Sequence, residues 1–473
     1  MAKLLFLQNI EYEFLGPMYI SAAVKGRHAC ELALGGRPED FYGVMDSFRP
    51  DVIAFSIMTG SHRWARETAK ALKARYRALS LFGGAHPTFF PEFIEEEGVD
   101  VICRGEGEDA VLDLLDALDA GGDISGIANL HVKTGGVITR NPVRTLRADL
   151  DEYPFPDRTL YRALGAGADR SVRNVITSRG CPFHCTFCFE DSIRDLYRDK
   201  GRHVRVRNPA KVIEELRELK KQGEVKTVYF CDDVFGLDKR WLYGFLEEYR
   251  REIGLDFLCL ARADIMSASP DYARRLRDAG CRSVFFGIET GSEALRNKVL
   301  KKGIKDADIY KAAAMLHEAG LPFRTYNIVG LPDETLEDAF GTIRMNVRIK
   351  ADYPWCSIFS PYPRTALTVY AQERGYLDKD FSPDSISGSF FIDSQLRMPG
   401  IRRIENLHKF FQTAVLWPWT LPLVKLLIKL PPNPLFKLWF GAVYFYIFLK
   451  SEKRSFFRTC VFALKNYGHL LKK

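Results

Sequence analysis

Acid is what the end of this 473-residue chain lacks. From position 401 to 473 there are 13 Lys and Arg against two acids, Glu405 and Glu452, a net of +11. The first 400 residues carry the other 55 basic and 58 acidic residues, a net of −3, so the chain's overall +8 belongs to its tail. That distribution excludes, as a first reading, a nucleic-acid binder with basic surface along its whole length. An export segment is also lacking, because the apolar stretch after Lys3 ends at Gln8. That is too short for a signal h-region and suits a buried first strand better. Long apolar runs are missing as well. The tail's aromatic run 438–449 has twelve residues, well short of the roughly 20 that a spanning helix needs. No solenoid-type repeat is present.

What is there reads as globular. The composition is 47% hydrophobic and 27% charged, and the length suits about two to four domains. Over residues 1–125, strand patterns at 3–8, 30–34, 51–56, 79–82 and 100–103 alternate with helical patterns at 17–26, 63–76, 91–96 and 109–118. Such alternation predicts a doubly wound, Rossmann-like α/β domain with a parallel sheet, which binds ligands beyond the carboxyl ends of its strands. Residues 126–169 read as a connector, with Gly135-Gly136 turning a hairpin inside 128–140 and an extended stretch at 149–157. A second alternation fills 170–370. Its strands fall at 174–177, 227–231, 257–261, 283–288, 323–329 and 355–359, with a helix after each of the first five. Six units fall short of a full eight-unit barrel, and a partial (βα)6 TIM barrel fits the count. Residues 371–473 form a basic, aromatic, helical C-terminal region.

Ten cysteines are present. Seven are isolated, most within apolar runs, and read as core thiols. The other three sit in Cys181-Pro-Phe-His-Cys185-Thr-Phe-Cys188, a loop after a predicted strand. In a chain without an export signal such a cluster favours metal over disulfides. Three thiolates at this spacing can hold three irons of a cubane and leave the fourth open. The alternatives are an incomplete zinc site, His184 as a fourth ligand, or three unrelated thiols.

The loop resembles the signature of the radical S-adenosylmethionine (SAM) enzymes, C-x3-C-x-(aromatic)-C, matched by Cys181, Cys185, Phe187 and Cys188; the resemblance extends over about 170–365. It implies a [4Fe-4S] cluster whose open iron is chelated by SAM, reductive release of a 5′-deoxyadenosyl radical, and a reductant such as flavodoxin or ferredoxin. Other strand ends match the family's SAM contacts. Asp232 and Asp233 stand where a polar group meets the methionine amine, or Asp233 caps the next helix. Arg262 stands where it would pair with the carboxylate, or forms a surface ion pair with Asp264. Glu289 matches the ribose-binding position. Ile328 and Gly330 match the adenine motif, although its usual leading Gly is Tyr326.

Ahead of such a barrel, the first domain resembles the cobalamin-binding domain of cobalamin-dependent radical SAM enzymes. The residues carrying this are Ser56 and Thr59 after the third strand, Gly83 and Gly84 after the fourth, and 104–108 after the fifth. The two glycines would let a nucleotide tail lie on bare backbone. One departure stands out: the stretch 8–16 has no His where the mutase-type proteins place their cobalt ligand. Either the cobalt's lower face has no protein ligand, or the domain keeps the fold without the cofactor. His86 is a minor candidate for that ligand.

The resemblance implies a cobalamin-dependent methyltransferase acting on an unactivated carbon. The rivals are a radical oxidative cyclase or rearrangement enzyme, as in the anaerobic porphyrin-ring cyclases, and a non-catalytic cluster- or cobalamin-binding sensor. The tail interleaves Lys with Leu, Trp and Phe, as at 421–430, where Lys425 and Lys429 share a helical face. It reads either as a peripheral membrane contact through 401–473 or as a lid over the barrel's open side. The expected substrate is a small, apolar or lipid-like molecule rather than nucleic acid, and the expected setting is a reducing cytoplasm or the inner face of its membrane.

Overall fold

In the computed structural model the chain divides into two compact units, Met1–Asp169 with Ser192–Asn208 and Arg170–Asp191 with Pro209–Lys473. The described residues are 1–165, 170–386 and 391–452.

In the first unit, strands β1 (Lys3–Gln8), β2 (Ala29–Leu34), β3 (Val52–Ser56), β4 (Leu79–Gly83), β5 (Val101–Cys103), β6 (Leu130–Thr134) and β7 (Val137–Arg140) form one sheet. Its order is β2-β1-β3-β4-β5-β6-β7, parallel as far as β5 and antiparallel beyond. The central strands β1 and β3 are apolar through their middles, Leu4–Leu7 and Val52–Phe55, because both faces are covered. Leu4, Phe6, Val52 and Ala54 face one core with the Leu15–Val24 and Glu108–Asp119 helices. Leu5, Leu7, Ile53 and Phe55 face the other with the His62–Lys73 helix. Chain order reverses between β1 and β3, and their carboxyl ends there open the crevice that such sheets use for ligands.

The strand bounds expected from sequence are met within two residues. Three expectations change: 91–96 is a short 3-10 turn at Pro91–Glu95 rather than a helix, and helices at Tyr42–Phe48 and Ala85–Phe89 stand where none was expected. The hairpin extends the sheet, and residues 192–208, expected within the barrel region, pack with the first unit. There Tyr197, Ile193 and Leu196 close on Val143 and Leu146.

In the second unit, β8 (Val172–Val175), β9 (Thr227–Phe230), β10 (Asp256–Ala261), β11 (Cys281–Glu289), β12 (Phe323–Val329) and β13 (Tyr353–Ile358) form an all-parallel six-stranded sheet in sequential order. This is the partial barrel. Val228, Phe257, Val284 and Phe323 point outward to the crossover helices. Between them, residues of the opposite parity bring Tyr229, Phe285 and Tyr326 together on the inner face, with ring centroids 5.8 and 6.3 Å apart in turn. Past 370, where no pattern was legible, helix Ile401–Leu416 packs over β13, and helix Pro434–Glu452 packs on that helix. Among the described residues no helix is long and apolar enough to cross a membrane. Of the seven isolated cysteines, 103, 259, 281 and 356 are buried, 30 and 231 are half-buried, and 460 lies outside the described residues.

Candidate active site

The cysteine loop leaves the carboxyl end of β8, and neighbouring strand ends hold it in place. Asp232, just past β9, is buried, and its Oδ1 accepts from Thr177 N (2.9 Å), Thr177 Oγ1 (2.8 Å) and Ser178 Oγ (2.6 Å). Midway, Thr186 donates its N–H to Leu300 O and its hydroxyl to Val299 O. Cys181 N–H donates to Glu190 Oε2 at 3.0 Å. Cys181, Cys185 and Cys188 are half-buried and form no disulfide. Burial pushes Cys181 up to about 11 and Cys188 up to about 12. It also raises Cys185, against which the charges of Lys302 and Arg262 pull downward. Among the described residues no three His, Cys, Asp or Glu side chains are close enough to share one metal ion. A cubane spreads its irons over separate corners, and its thiolate donors are the residues present here. His184 is exposed and bonds Asp191 at 2.6 Å.

Charged side chains from three strand ends gather around this loop. Arg262, at the end of β10, is buried rather than superficial. It forks onto Asp264 at 3.0 and 3.1 Å, reaches Lys302 O at 2.8 Å, and lies 3.3 Å above the Phe183 ring of the cysteine loop. Asp233 is exposed and near enough to Cys181 and Cys188 for its charge to raise both thiols. Glu289 closes β11 with φ +64, a conformation that L side chains adopt at a cost. The pairing with β12 shifts register there, between Gly287 and Glu289, which re-aims the carboxylate. It pairs with Lys302 at 2.5 Å, both groups being about 8% exposed. Gly287 makes room for the pair, since a Cβ there would lie 1.9 Å from Glu289 Oε1 and 2.6 Å from Lys302 Nζ.

One buried cation fixes the segment that delivers both charges. Arg296, fully buried, donates to Thr290 O (2.8 Å), Ile288 O (3.3 Å), Ile304 O (3.2 Å) and Asp306 Oδ1 (2.8 Å), and its own carbonyl accepts from Lys302 N.

Phe187 and Ile328 meet in one apolar cluster beside Leu300 and Leu331. Gly330 has φ +76, and its N–H donates to Glu334 Oε2 at 2.5 Å. Glu334 is buried with Oε1 lacking a partner, and burial pushes its carboxyl up to about 8. Asp232 Oδ2 is likewise buried without a partner, and burial pushes that carboxyl up to about 6. Sequence reading missed Lys302, Gly287, Glu190, Arg296 and Glu334. Of these Gly287 alone had a visible cue, two positions before Glu289.

In the first unit, Ser56 is exposed at the end of β3. Thr59 Oγ1 bonds His86 Nδ1 at 3.2 Å, so that hydroxyl secures the neighbouring loop. Gly84 has φ +93, and a Cβ there would lie 2.7 Å from Ile57 O, so its bareness serves the approach of two loops. Gly83 is bare toward open space, with only Cys103 Cβ at 4.0 Å. His86 is buried and stacked 4.1 Å from the His62 ring, away from the exposed rim. After β5, Gly105 leaves room for Tyr197, whose hydroxyl accepts from Glu106 N at 2.8 Å. On the reversal crevice Ile10, Tyr12 and Met58 are exposed, apolar groups that suit a broad, flat, weakly charged ligand. The uncovered backbone at Gly83 and this apolar rim fit a corrin with its tail.

Comparison with known proteins agrees with both regions. The Radical SAM superfamily matches residues 175–345, and the B12 binding domain matches 12–115. An uncharacterized methyltransferase of Pyrococcus horikoshii is 32% identical over 365 residues, 76% of this chain and 78% of that protein. An anaerobic magnesium-protoporphyrin IX monomethyl ester cyclase of Cereibacter sphaeroides is 29% identical over 67% of this chain and 53% of its own. The hopanoid C-3 methylase of Methylococcus capsulatus is 27% identical over 72% of this chain and 64% of its own. Among solved structures, the cobalamin-dependent radical SAM enzyme OxsB, with aqua-cobalamin and SAM bound, shares the fold: TM-score 0.68, 17% identity, 99% of this chain and 75% of that one.

Proposed function

This chain belongs to the radical SAM superfamily and carries a B12 binding domain ahead of its barrel, and from that premise we propose that it transfers a methyl group to an unactivated carbon of an apolar or lipid-like substrate. When bound, the [4Fe-4S] cluster and cobalamin supply reductive SAM cleavage and methyl carriage.

The protein's own residues have the following parts. Cys181, Cys185 and Cys188 hold the cluster as thiolates, and Lys302 and Arg262 offset the negative charge gathered beside Cys185. Asp233 takes the methionine ammonium of SAM, and Arg262 its carboxylate. Glu289 accepts from the ribose hydroxyls, and the ion pair with Lys302 keeps it aimed. Ile328, Phe187 and the Gly330 backbone flank the adenine. Ser56 and Gly83 bear on the cobalamin tail, with Thr59 and Gly84 holding the loop. A flavodoxin- or ferredoxin-type reductant, a cytoplasmic setting and peripheral membrane contact through 401–473 complete the reading; residues 453–473 of that segment lie outside the described ones.

The observation that carries it is the cysteine loop ringed by Asp233, Arg262 and Glu289. The experiment is an anaerobic incubation with SAM, cobalamin, reductant and candidate lipids, read by mass spectrometry. Methyl transfer adds one methylene mass to the product and releases S-adenosylhomocysteine beside deoxyadenosine. A product oxidised at constant carbon count favours the cyclase chemistry named for the Cereibacter relative. Absence of deoxyadenosine refutes the radical assignment.

A further inference from the structure

Among the described residues fifteen large apolar side chains are exposed, and eight of them lie between 419 and 446. The Pro434–Glu452 helix explains the concentration. Its inner stripe, Phe436, Phe440, Val443 and Ile447, is buried. Phe440 packs on His408 at 4.9 Å, and Tyr444 packs on Trp355 of β13 at 4.5 Å. Its outer stripe is apolar too: Leu435, Leu438, Trp439 and Tyr446 stand at helical spacing, 73, 73, 45 and 41% exposed. A helix covered on one side by its own fold normally turns polar side chains outward. Leu423 and Leu426 of the Leu421–Leu427 helix are 55 and 61% exposed, and Trp419 is 79% exposed.

Lys425, Lys429 and Lys437 are exposed among these residues, and no acid occurs between Glu405 and Glu452. A second copy meeting this face about a two-fold axis would oppose lysine to lysine with no carboxylate to pair. An anionic lipid surface satisfies both the apolar stripe and the cations.

We propose that the 419–446 face docks in the plane of an anionic membrane, seating the last barrel strand, through Trp355 and Tyr444, beside the lipid from which the substrate comes. The inference deepens the lipid-like substrate reading. Its readout is vesicle partition rather than product, so it fails or stands apart from methyl transfer.

The test is sedimentation of the full chain, purified anaerobically with its cofactors, with vesicles of phosphatidylcholine alone or mixed with phosphatidylglycerol. The chain is expected to sediment with the mixed vesicles and to be released by salt. Replacing Lys425, Lys429 and Lys437 together by Gln lowers partition about a hundredfold. A Leu423→Glu, Leu426→Glu, Leu435→Glu, Leu438→Glu variant lowers it by about tenfold or more, with thermal unfolding and substrate-free deoxyadenosine release unchanged. Four outcomes overturn the proposal. The full chain stays in solution, or the variants bind like the parent. The parent is a dimer that the Leu variant dissolves, which assigns the face to a second copy. Binding appears only after 453–473 are removed, which assigns it to the chain's own end.

Discussion

The strand ends around the cysteine loop and the loops after β3 and β4 of the first sheet are built from opposite materials. In the second unit Asp232, Arg262, Glu289 and Lys302 are all buried, and each meets a partner across the strand ends. In the first, the loops at 56–61 and 83–90 contain no Asp, Glu, Lys or Arg, and their geometry depends on bare glycines and one hydroxyl–imidazole bond. Buried charge is costly unless paired, so it accumulates where a charged ligand must be fixed at several points. A broad, nearly neutral ligand is held by shape, and shape is set by where side chains are missing. The second unit should therefore be vulnerable to changes of charge and the first to changes of volume.

Four experiments break or sharpen that contrast. The largest effect is expected from Cys185→Ala, which should abolish cluster absorbance and deoxyadenosine release together while the first unit still retains cobalamin. Persistent release would end the assignment. Next, Arg296→Met removes a fully buried cation and leaves Asp306 and four carbonyl contacts unbalanced. A stability loss of about 4 kcal/mol is expected in denaturant unfolding, with weaker SAM binding in equilibrium dialysis.

The third is a pH effect. Glu334 ionises near 4.5 when unfolded and near 8 when folded, so between those values the unfolded state releases a proton that the folded state keeps. Stability should fall as pH rises through that window, by about 1.4 kcal/mol per pH unit, and level off above it. Glu334→Gln should flatten the profile; an unchanged slope would place its cause elsewhere. The smallest effect belongs to the first unit. Gly84→Ala drives a Cβ against Ile57 O at a positive φ and should cost about 2 kcal/mol. It should lower cobalamin retention and leave substrate-free SAM cleavage intact. A drop in cleavage would mean that the contrast is too sharp.

The parts legible in sequence were those whose signal is local. The cysteine spacing is dense enough to name its chemistry, and the two strand–helix alternations give both sheets because burial on both faces leaves short apolar runs along the central strands. Glu289 was legible because an acid directly after an apolar strand has few structural reasons to be there. Lys302, thirteen residues further on, carries no pattern of its own; its place depends on how Arg296 folds the intervening segment. Asp232 was expected at the methionine amine, and its Oδ1 instead grips Thr177 and Ser178, a distinction that needs three-dimensional contacts. The two faces of the last helix were illegible for a different reason. An apolar helix looks alike on every side until the fold buries one of them.

The return of residues 192–208 to the first unit bears on how this protein can be divided. Four residues after Cys188 the chain is already part of the other fold, and it comes back only at Pro209. A boundary drawn near 170 to express the barrel alone would carry off Tyr197, which fills the space left by Gly105, and Arg205, whose guanidinium pairs with Glu106. The fragment would expose Ile193, Leu196 and Tyr197, and the remaining half would have a hole in their place. Recombination in evolution meets the same obstacle as the bench, since the first half cannot be exchanged without the strip embedded in the second half's span. The two halves are expected to pass between genomes as one indivisible cassette.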